Sequence, residues 1–598
     1  MTVLPRRLLH TCLAILGVAV FSAPVLAQST FGVAPITATG GFLAGQQAMQ
    51  DLRTTEAARY LRRAADEDYD NPLIIESAMI ALAAAGDIAH AATLAGHFID
   101  LTEGSDVASL IAGTDAVKEG DYPAALVMLE DIGADSFVAL TGSVLKAWAQ
   151  TAEGDLEAAF ATLDGVAQGG LGDFLVFHRA LMADYAGQKD EAIRLAAEAY
   201  ELNPGVPRIV EAYARMLGND GQFDAAREAI DKYVEGGGSH PLVALVLADI
   251  EAGRAPGPFA ATVPAGASEM FHGLGAALAG DRANQTAVIF LRLGQFLNPR
   301  SDTIPLLLGQ IYDLAGNHEE ANRIYDAVPA ASPMKSAAVI RMADNYSAMD
   351  DLDEALRRLR NIVVAEPGNT DALAVLGDLE RTNELWAEAA ATYSKLIDAI
   401  PGDRQGDWRY YYVRGMAYER NKEWPKAEAD FKRALELNPD QPQVLNYLGY
   451  SWVDQGMNLE PALEMIERAV AAAPNDGYII DSLGWAFYRL GRYEDAVVEL
   501  EKAVRLLPND PEINDHLGDA YWKAGRKLEA RFQWSIAIDV DDKGTVRERA
   551  IPKLTDPEGH VGDGSEEAEE ADAPEAEVVP EIRADADTAA PSETPKAN

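Results

Sequence analysis

A histidine is followed by two carboxylates at His318-Glu319-Glu320, and this segment resembles the first residues of the zinc-binding motif HExxH. In that motif two histidines four residues apart bind the metal on one helix face, and the glutamate acts as general base. Asn322 stands where the second histidine is required, so the ligand set is incomplete. We therefore interpret the segment as an exposed turn between paired helices.

Other residues that could do chemistry also lack partners. His90 and His97 are seven residues apart in one predicted helix pair, with no third ligand nearby. The segment GLGAALAG at Gly273 lies inside a predicted helix rather than after a strand, which disfavours dinucleotide binding. No phosphate-binding loop of the form GxxxxGK[ST] occurs. The sequence thus predicts no catalytic residue, no metal, no cofactor and no enzymatic activity.

Aromatic residues are the remaining candidates, concentrated in DSLGWAFYRLGRYEDAVVELEKAV from Asp481 onwards. Whether Trp485 and Tyr488 form a site or a core depends on the helices that position them. This stretch recurs at a fixed interval: Gly415, Gly449, Gly484 and Gly518 are separated by 34, 35 and 34 residues. The alanines of the following helix and the prolines after it keep the same step: Ala427, Ala462, Ala496, Ala530, Pro439, Pro474 and Pro508.

Each of these residue types has a physical reason for its place. Gly484 and Ala496 are small because two helices cross there. Phe487 is expected beside the crossing in the core, and Tyr493 at the start of the second helix. Gly491 suits the left-handed end of the first helix, and Pro508 stops the second helix.

The unit at residues 477–508 resembles the tetratricopeptide repeat through Leu483, Gly484, Phe487, Ala496, Leu500, Ala503 and Pro508. The resemblance implies an all-α protein, an α-solenoid of about fifteen stacked helix-turn-helix units in a right-handed superhelix. Weaker copies at Leu376-Gly377, Leu308-Gly309 and Leu274-Gly275 extend the register backwards. Towards the N-terminus, glycines continue at intervals of 33 or 34 residues: Gly86, Gly120, Gly154, Gly187 and Gly221.

Breaks in this register predict the domain boundaries. We expect a degenerate repeat solenoid at 28–250, an irregular Pro- and Gly-rich joint at 251–267, and a second repeat solenoid at 268–541. A capping segment at 542–555 follows. Residues 556–598 carry 14 acidic residues against two basic ones and no aromatic residue, which is typical of a disordered tail.

The first residues predict a cleaved signal peptide at 1–27, with a basic start, an apolar run and a small-residue ending. Cys12 lies within it, so the mature chain would contain no cysteine. No later stretch approaches the roughly 20 apolar residues of a membrane helix. We expect secretion to the periplasm, peripheral to the outer membrane at most. A net charge of -45 disfavours nucleic acid as a partner.

In tetratricopeptide proteins the first helix of each pair lines a concave groove that receives a partner segment, and this placement is implied by the resemblance. Helical periodicity then puts eleven candidate residues on the groove side, opposite the core. They are Arg409, Tyr412, Met416, Asn446, Tyr450, Tyr478, Asp481, Trp485, Tyr488, Arg489 and Trp522. The alternative is that they pack against the preceding repeat. Because Asp481, Asp515 and Asp519 stand where a carboxylate-binding groove needs cations, an extended apolar or basic segment is the expected ligand.

Residues 445–504 also resemble large secreted bacterial tetratricopeptide proteins, among them the lipoprotein adaptor of a periplasmic carboxyl-terminal processing protease. That resemblance implies a scaffold or adaptor that recruits a protease, a cell-wall enzyme or an envelope-assembly complex. The alternative function is a component of an envelope polysaccharide synthesis or export machine. A third is a self-assembling structural protein.

Overall fold

The computed structural model describes residues 37–562 except 103, 131, 133–136, 167–171, 281–283, 401 and 403. Within these residues the regular structure is helical and no strand occurs, which confirms the predicted all-α solenoid. The predicted signal peptide and residues 563–598 of the predicted tail lie outside the described residues. No helix in the described part is both long and apolar enough to cross a membrane.

Contacts divide the chain into two compact units that meet between Ala355 and Leu356. The helices of the first unit are α1 Ala38–Gln50, α2 Thr54–Glu67, α3 Pro72–Ala85, α4 Ile88–Thr102, α5 Asp106–Glu119, α6 Tyr122–Met128, α7 Phe137–Ala152, α8 Leu156–Val166, α9 Gly172–Tyr185, α10 Lys189–Leu202, α11 Pro207–Asn219, α12 Phe223–Glu235, α13 Pro241–Glu251, α14 Val263–Gly280, α15 Asn284–Leu297, α16 Ile304–Leu314, α17 His318–Asp326 and α18 Lys335–Ala348.

Helix α19, Leu352–Ala365, contains the division between the units. The helices of the second unit are α20 Thr370–Thr382, α21 Trp386–Ala399, α22 Trp408–Arg420, α23 Trp424–Leu437, α24 Pro442–Asp454, α25 Leu459–Ala472, α26 Gly477–Arg489, α27 Tyr493–Leu506, α28 Pro511–Lys523, α29 Lys527–Val540, α30 Thr545–Thr555 and α31 Pro557–His560.

The pair α26 and α27 shows why the repeat residues form this unit. A Cβ on Gly484 would lie 2.5 Å from Cγ of Leu500, so the crossing accepts only a glycine without rearrangement. Gly491 follows the first helix with a φ of 73°, a left-handed conformation that costs glycine little. Phe487 is buried, as its register predicts, and Tyr493 begins α27 with its ring 5.4 Å from that of Tyr488.

The first unit has a continuous core in which α14 and α15 lie against the first helices of the preceding pairs. Helix α14 contacts α5, α7 and α9, and α15 contacts α3 and α5. Six consecutive residues of α14, 266–271, are buried, so this helix is enclosed on all sides. Its small residues allow that enclosure, because a Cβ on Gly266 would overlap the buried ring of Trp148 in α7.

The predicted irregular joint at 251–267 therefore lies inside the first unit. Residues 254–260 are indeed without helix, but α14 begins at Val263, within the predicted joint. The chain between the two helices is anchored: Arg215 donates to the carbonyl oxygen of Pro256 at 2.7 Å, and the ring of Phe259 lies 5.9 Å from that of Phe177. The segment brings α14 back onto the earlier helices.

The end of the second unit is ordered further than the sequence suggests. Helix α30 falls within the predicted capping segment. The predicted disordered tail begins at Asp556, yet Pro557–His560 form the short helix α31, and Val561 is 6% exposed. Residues 556–562 contact the preceding helices, as described below.

Candidate partner-binding site

The candidate residues lie on one side of the second unit, which we call its inner face, formed by the first helices α22, α24, α26 and α28. Helices α24, α26, α28 and α30 contact one another in series, so equivalent side chains form rows along this face. One row contains Tyr412, Asn446, Asp481 and Asp515, and the next contains Met416, Tyr450, Trp485 and Asp519.

Six of the eleven predicted site residues are buried: Tyr412, Met416, Asn446, Tyr450, Asp481 and Tyr488. Tyr412 packs its ring 6.1 Å from that of Phe431 and 5.9 Å from that of Tyr447 in the next pair. Burial, with Glu512 and other carboxylates nearby, raises the pKa of Tyr450 well above its ordinary value. In this conformation these side chains serve the stacking of repeats, as the alternative interpretation expected, and a partner could reach them only after rearrangement.

The other five predicted residues keep some exposure. Arg409 is exposed, and Tyr478, Trp485, Arg489 and Trp522 are half-buried. Arg489 lies 3.7 Å from Asp454, and the ammonium of Lys527 lies 4.3 Å from the ring centre of Trp522. These five are the predicted site residues that keep accessible surface in this conformation, although the side chain of Arg489 is only 9% exposed.

Tyr478 also borders an open surface cavity of about 450 Å³, lined by the loop at residues 473–477 and by Leu506 and Leu507. The cavity lies where α25 ends and α26 begins. Its floor contains Gly477, where a Cβ would lie 2.6 Å from Cδ1 of Leu507. The cavity is therefore a feature of the joint between two pairs rather than of the middle of the inner face.

Trp485 is held in an aromatic stack on the inner face. Its ring lies 4.7 Å from that of Tyr488 at an interplanar angle of 9°, and 4.2 Å from that of His516 at 18°. Its Nε1 is buried and has no hydrogen-bond acceptor among the described residues. The stack fixes the orientation of Trp485 and leaves one polar atom unsatisfied, which is uncommon in a folded protein.

His516 stands between two carboxylates and is held as a cation. Its Nδ1 lies 3.0 Å from Asp481 and its Nε2 lies 3.2 Å from Glu512, so both ring nitrogens donate. Burial alone would lower the pKa of His516. The charge of Asp481 and the hydrogen bonds to both carboxylates outweigh burial and raise that pKa to about 10.

Helix α30 supplies two further cations to the carboxylates of the inner face, Asp481, Glu512, Asp515 and Asp519, which we call the acidic row. The ammonium of Lys553 lies 2.9 Å from Asp515 and 2.7 Å from Asp519, and the guanidinium of Arg549 pairs with Asp515 and Glu512. Burial would lower the pKa of Lys553, but the two aspartates raise it. The carboxylates that the sequence showed on the inner face are thus largely neutralised by the chain itself.

The residues after α30, 556–562, cross the inner face, and we call them the C-terminal strap. The hydroxyl of Tyr488 donates to the carbonyl oxygen of Gly562 at 2.7 Å. Pro557 and Val561 are buried, and Glu558 pairs with Lys527 at 3.0 Å. The strap therefore brings the main chain from the last pair back to α26.

Sequence reasoning missed His516, Glu512, Arg549, Lys553 and Gly562. Two signals were available. His516 follows Glu512 by four residues, so both lie on one helix face. Arg549 and Lys553 repeat the same spacing in a segment that was interpreted only as a cap. The contact with Gly562 had no signal, because the residues around it form no periodic pattern.

The histidines that first suggested chemistry have structural roles. His318 begins α17 and contacts Asn345 at 2.9 Å, while His97 contacts the carbonyl oxygen of Tyr69 at 2.9 Å. His90 contacts Asp87 at 2.8 Å on the surface. Across the described ranges, no group of three or more His, Cys, Asp or Glu residues is placed to hold a metal ion.

Repeat models match four stretches of the chain. A model described as "TPR repeat" matches residues 484–525, and one described as "Tetratricopeptide repeat" matches residues 408–441. A further model with that description matches residues 179–241 and 340–404. The matches fall in both units, and the one at residues 408–441 coincides with the pair α22 and α23.

Similarity to whole proteins is partial. The TPR repeat-containing protein PA4667 of Pseudomonas aeruginosa is 26% identical over 186 residues, 31% of this chain and 31% of that protein. The protein O-mannosyl-transferase TMTC1 of Homo sapiens is 25% identical over 192 residues, 32% of this chain and 21% of that protein. The chain thus spans less than a third of the length of these curated relatives.

Among solved structures, the APC/C hetero-tetramer Cut9-Hcn1 covers 86% of this chain and 95% of its own chain, at 15% identity and a TM-score of 0.34. The repeat models, together with helix pairs whose small residues recur at the repeat interval, identify the chain as a tetratricopeptide repeat protein.

Proposed function

We propose that the protein is a non-enzymatic adaptor whose second unit binds segments of partner proteins on its inner face. One observation carries this proposal: the inner face already holds a main-chain segment, since Tyr488 donates to the carbonyl oxygen of Gly562. Main-chain recognition of this kind is a general means of binding extended peptides. Half-buried aromatic residues such as Trp485 and Trp522 add the side-chain type that carries most interface energy.

The electrostatics of the inner face favour an apolar extended segment over a basic one. Asp481, Glu512, Asp515 and Asp519 face three internal cations, His516, Arg549 and Lys553. A basic partner would have to displace these cations before it gained the carboxylates. An extended segment with aliphatic side chains meets the exposed aromatic surface without that cost.

We propose a periplasmic location, peripheral to the outer membrane at most, with a protease or a cell-wall enzyme as the partner class. The support is the predicted signal peptide at 1–27 and the resemblance of residues 445–504 to secreted adaptors. Determination of the N-terminus of the protein purified from cells tests the location. A mature chain that starts at Gln28 in the periplasmic fraction agrees with the proposal, and a retained Met1 in the cytoplasm contradicts it.

The alternative, a part of an envelope polysaccharide machine, has weaker support. One relative is named as a mannosyl-transferase, but the match covers only 21% of that protein. Within the described residues no group of three or more His, Cys, Asp or Glu is placed to hold a metal ion, and the support for binding is the strap contact described above. We therefore propose binding rather than group transfer.

Photo-crosslinking in living cells tests the proposed function. A photo-reactive phenylalanine analogue replaces Tyr478 or Trp522, which a partner could reach, and the adducts are identified by mass spectrometry. A matched control places the analogue at Phe532, which is 61% exposed on α29, the second helix of its pair. We expect the same protein adduct from both inner-face positions and none from Phe532.

Alanine substitutions test whether the aromatic side chains contribute to the affinity for the partner. The double variant Tyr478→Ala and Trp522→Ala should lose at least tenfold in affinity for the crosslinked protein, since interface aromatic residues often contribute about 2 kcal/mol each. Val498→Ala, an exposed residue of α27, serves as the matched control. Equal affinities of the two variants for that protein would reject the inner face as the binding site.

A further inference from the structure

The C-terminal strap occupies the surface that the proposed function assigns to a partner. Tyr488 lies one helical turn after Trp485 on α26, and its repeat equivalent on α28 is Trp522. The strap reaches this row from the far end of the chain, 74 residues beyond Tyr488. A segment that binds along the inner face to Trp485 must pass the place where Gly562 now lies.

The way the strap is held indicates what the surface recognises. The contact with Tyr488 uses a main-chain carbonyl, not a side chain. Val561 and Pro557 are buried, whereas Glu558 and His560 are exposed. The segment that Tyr488 holds therefore combines a buried aliphatic residue with an adjacent residue whose carbonyl accepts the hydrogen bond, and its polar side chains stay in solvent.

The strap is held less firmly than the helix before it. Helix α30 buries Val546 and Ala550 against Ala537 and anchors Lys553 between two aspartates. Within the part of the chain that the structure describes, residues after Asp556 are held by a neutral hydrogen bond, two buried apolar side chains and an exposed ion pair, which contributes little. The strap can leave the inner face while α30 stays in place.

We infer that the Tyr488 surface is a binding site for a segment with a buried aliphatic residue, and that the strap, a single helical turn followed by Val561 and Gly562, is its intramolecular ligand. This inference rests on the proposed function and names the chemistry of the partner segment. A tethered ligand has an effective concentration on the order of millimolar. A partner segment therefore binds only if it competes with the strap, so the chain is partly autoinhibited.

A peptide of residues 556–564, DPEGHVGDG, which contains the strap and the next two residues, is labelled with fluorescein and tests the inference on full-length protein. The variant Val561→Asp places a charge in the buried position and should release the strap. We expect the peptide to bind this variant at least tenfold more tightly than the wild-type chain, measured by fluorescence anisotropy. The matched control peptide DPEGHDGDG should bind neither protein.

The double variant Val561→Asp with Tyr488→Phe tests the hydrogen bond. It should bind the peptide about fivefold more weakly than Val561→Asp alone, because one neutral hydrogen bond is lost. Hydrogen exchange gives a second readout: the amides of α26 should exchange faster in Val561→Asp than in the wild type, and α30 should be unchanged.

Three results would overturn the inference. Equal peptide binding by wild type and Val561→Asp would mean that the strap does not compete. Failure of the peptide to bind Val561→Asp, with α26 exchanging faster, would mean that the strap is a fixed cap rather than a ligand. Loss of protection in α30 together with α26 would show that strap and cap unfold as one element. Failure of the proposed function is distinguishable, because it is measured by cellular adducts and not by this peptide.

Discussion

The inner faces of the two units are built from the same repeat but are filled in different ways. In the first unit, helices α14 and α15 lie against the first helices α3, α5, α7 and α9 and become part of the core. Among the described residues of the second unit, α30 and the C-terminal strap contact the first helices, and Tyr478, Trp485 and Trp522 keep some exposure. Repeat geometry provides a face in both units, and the sequence that follows decides whether that face remains available.

Two buried ion clusters illustrate the contrast. In the first unit Arg208 lies 2.7 Å from Glu269 of α14 and also pairs with Glu211, so the cluster joins the enclosed helix to its surroundings. Burial would raise the pKa of Glu269, but the charge of Arg208 lowers it below the ordinary value. In the second unit the equivalent cluster around Asp515 fixes only a terminal helix. Loss of a cation from its buried cluster should therefore lower the stability of the first unit more than that of the second.

The largest expected effect follows from Arg208→Met. It leaves Glu269 and Glu211 buried with fewer partners, which costs about 3 to 5 kcal/mol. Denaturant unfolding, with hydrogen exchange to locate the change, measures the loss in the first unit. Arg194→Met, at an exposed ion pair on α10, is the matched control and should cost under about 0.5 kcal/mol. Equal losses in the two variants would contradict a structural role for the buried cluster.

The next effect comes from overfilling the space between α14 and α7. Gly266→Leu forces a side chain into the buried ring of Trp148 and should cost about 3 kcal/mol. Exchange protection should fall in α7 and α14 and stay unchanged in the second unit. Gly280→Ala, at the end of the same helix where nothing lies within 4 Å, is the control and should be neutral. A neutral Gly266→Leu would mean that α14 is not enclosed.

Two buried histidines predict opposite pH responses of the units. Burial lowers the pKa of His178 in the first unit to about 4, whereas His516 in the second has its pKa raised to about 10. With an unfolded value near 6.5, the first unit should lose stability as the pH falls from about 6.5 towards 4. The stabilisation from His516 is complete below about 6.5 and is lost as the pH rises towards 10.

Hydrogen exchange and unfolding at pH 5, 7 and 9 would check this difference, with changes on the order of 2 kcal/mol in the affected unit. His516→Gln should abolish the alkaline loss in the second unit and leave the acid loss in the first. A second unit whose stability is the same at pH 7 and pH 9 would show that His516 is not held as a cation between Asp481 and Glu512.

The smallest expected effect is that of Tyr488→Phe in the wild-type chain. One neutral hydrogen bond to Gly562 is lost, so the free energy of unfolding should fall by about 1 kcal/mol or less. The strap should nevertheless exchange faster, while α30 keeps its protection. Tyr493→Phe, at the start of α27, removes a hydroxyl but keeps the ring beside Tyr488, and it should leave exchange of the strap unchanged. If the strap exchanges at the same rate in Tyr488→Phe as in the wild type, the hydrogen bond from Tyr488 does not hold the strap in place.

The sequence was a good guide to local structure because the repeat residues act locally. Gly484 and Gly491 predicted a crossing and a turn from steric requirements alone, and the structure has both. The enclosure of α14 was harder to foresee, since the same small residues, such as Gly266 and Gly275, also mark an ordinary helix crossing. Gly275 meets Leu291 at the crossing within its own pair, as Gly484 meets Leu500, whereas only the tertiary path places Gly266 against Trp148.

The sequence predicted which side of each first helix the candidate residues occupy, but not how exposed their side chains are. Periodicity put Tyr412 and Tyr488 on the first-helix side, yet it could not show that stacked repeats and the strap bury them. The acidic row was visible as Asp481, Asp515 and Asp519. Its neutralisation by His516 and by two cations of α30 depends on long-range contacts that no periodic pattern contains. The binding role of these residues stays a prediction.

The most direct test of the central claim places a photo-reactive phenylalanine analogue on the inner face of each unit, at Phe174 of α9 and at Trp522 of α28. Phe174 is half-buried, and a Cβ on Gly273 of α14 would lie 3.0 Å from its Cε2. We predict a crosslink within the chain from Phe174 to α14, and a crosslink to a partner protein from Trp522. A partner adduct from Phe174, or only intramolecular products from both positions, would contradict the account.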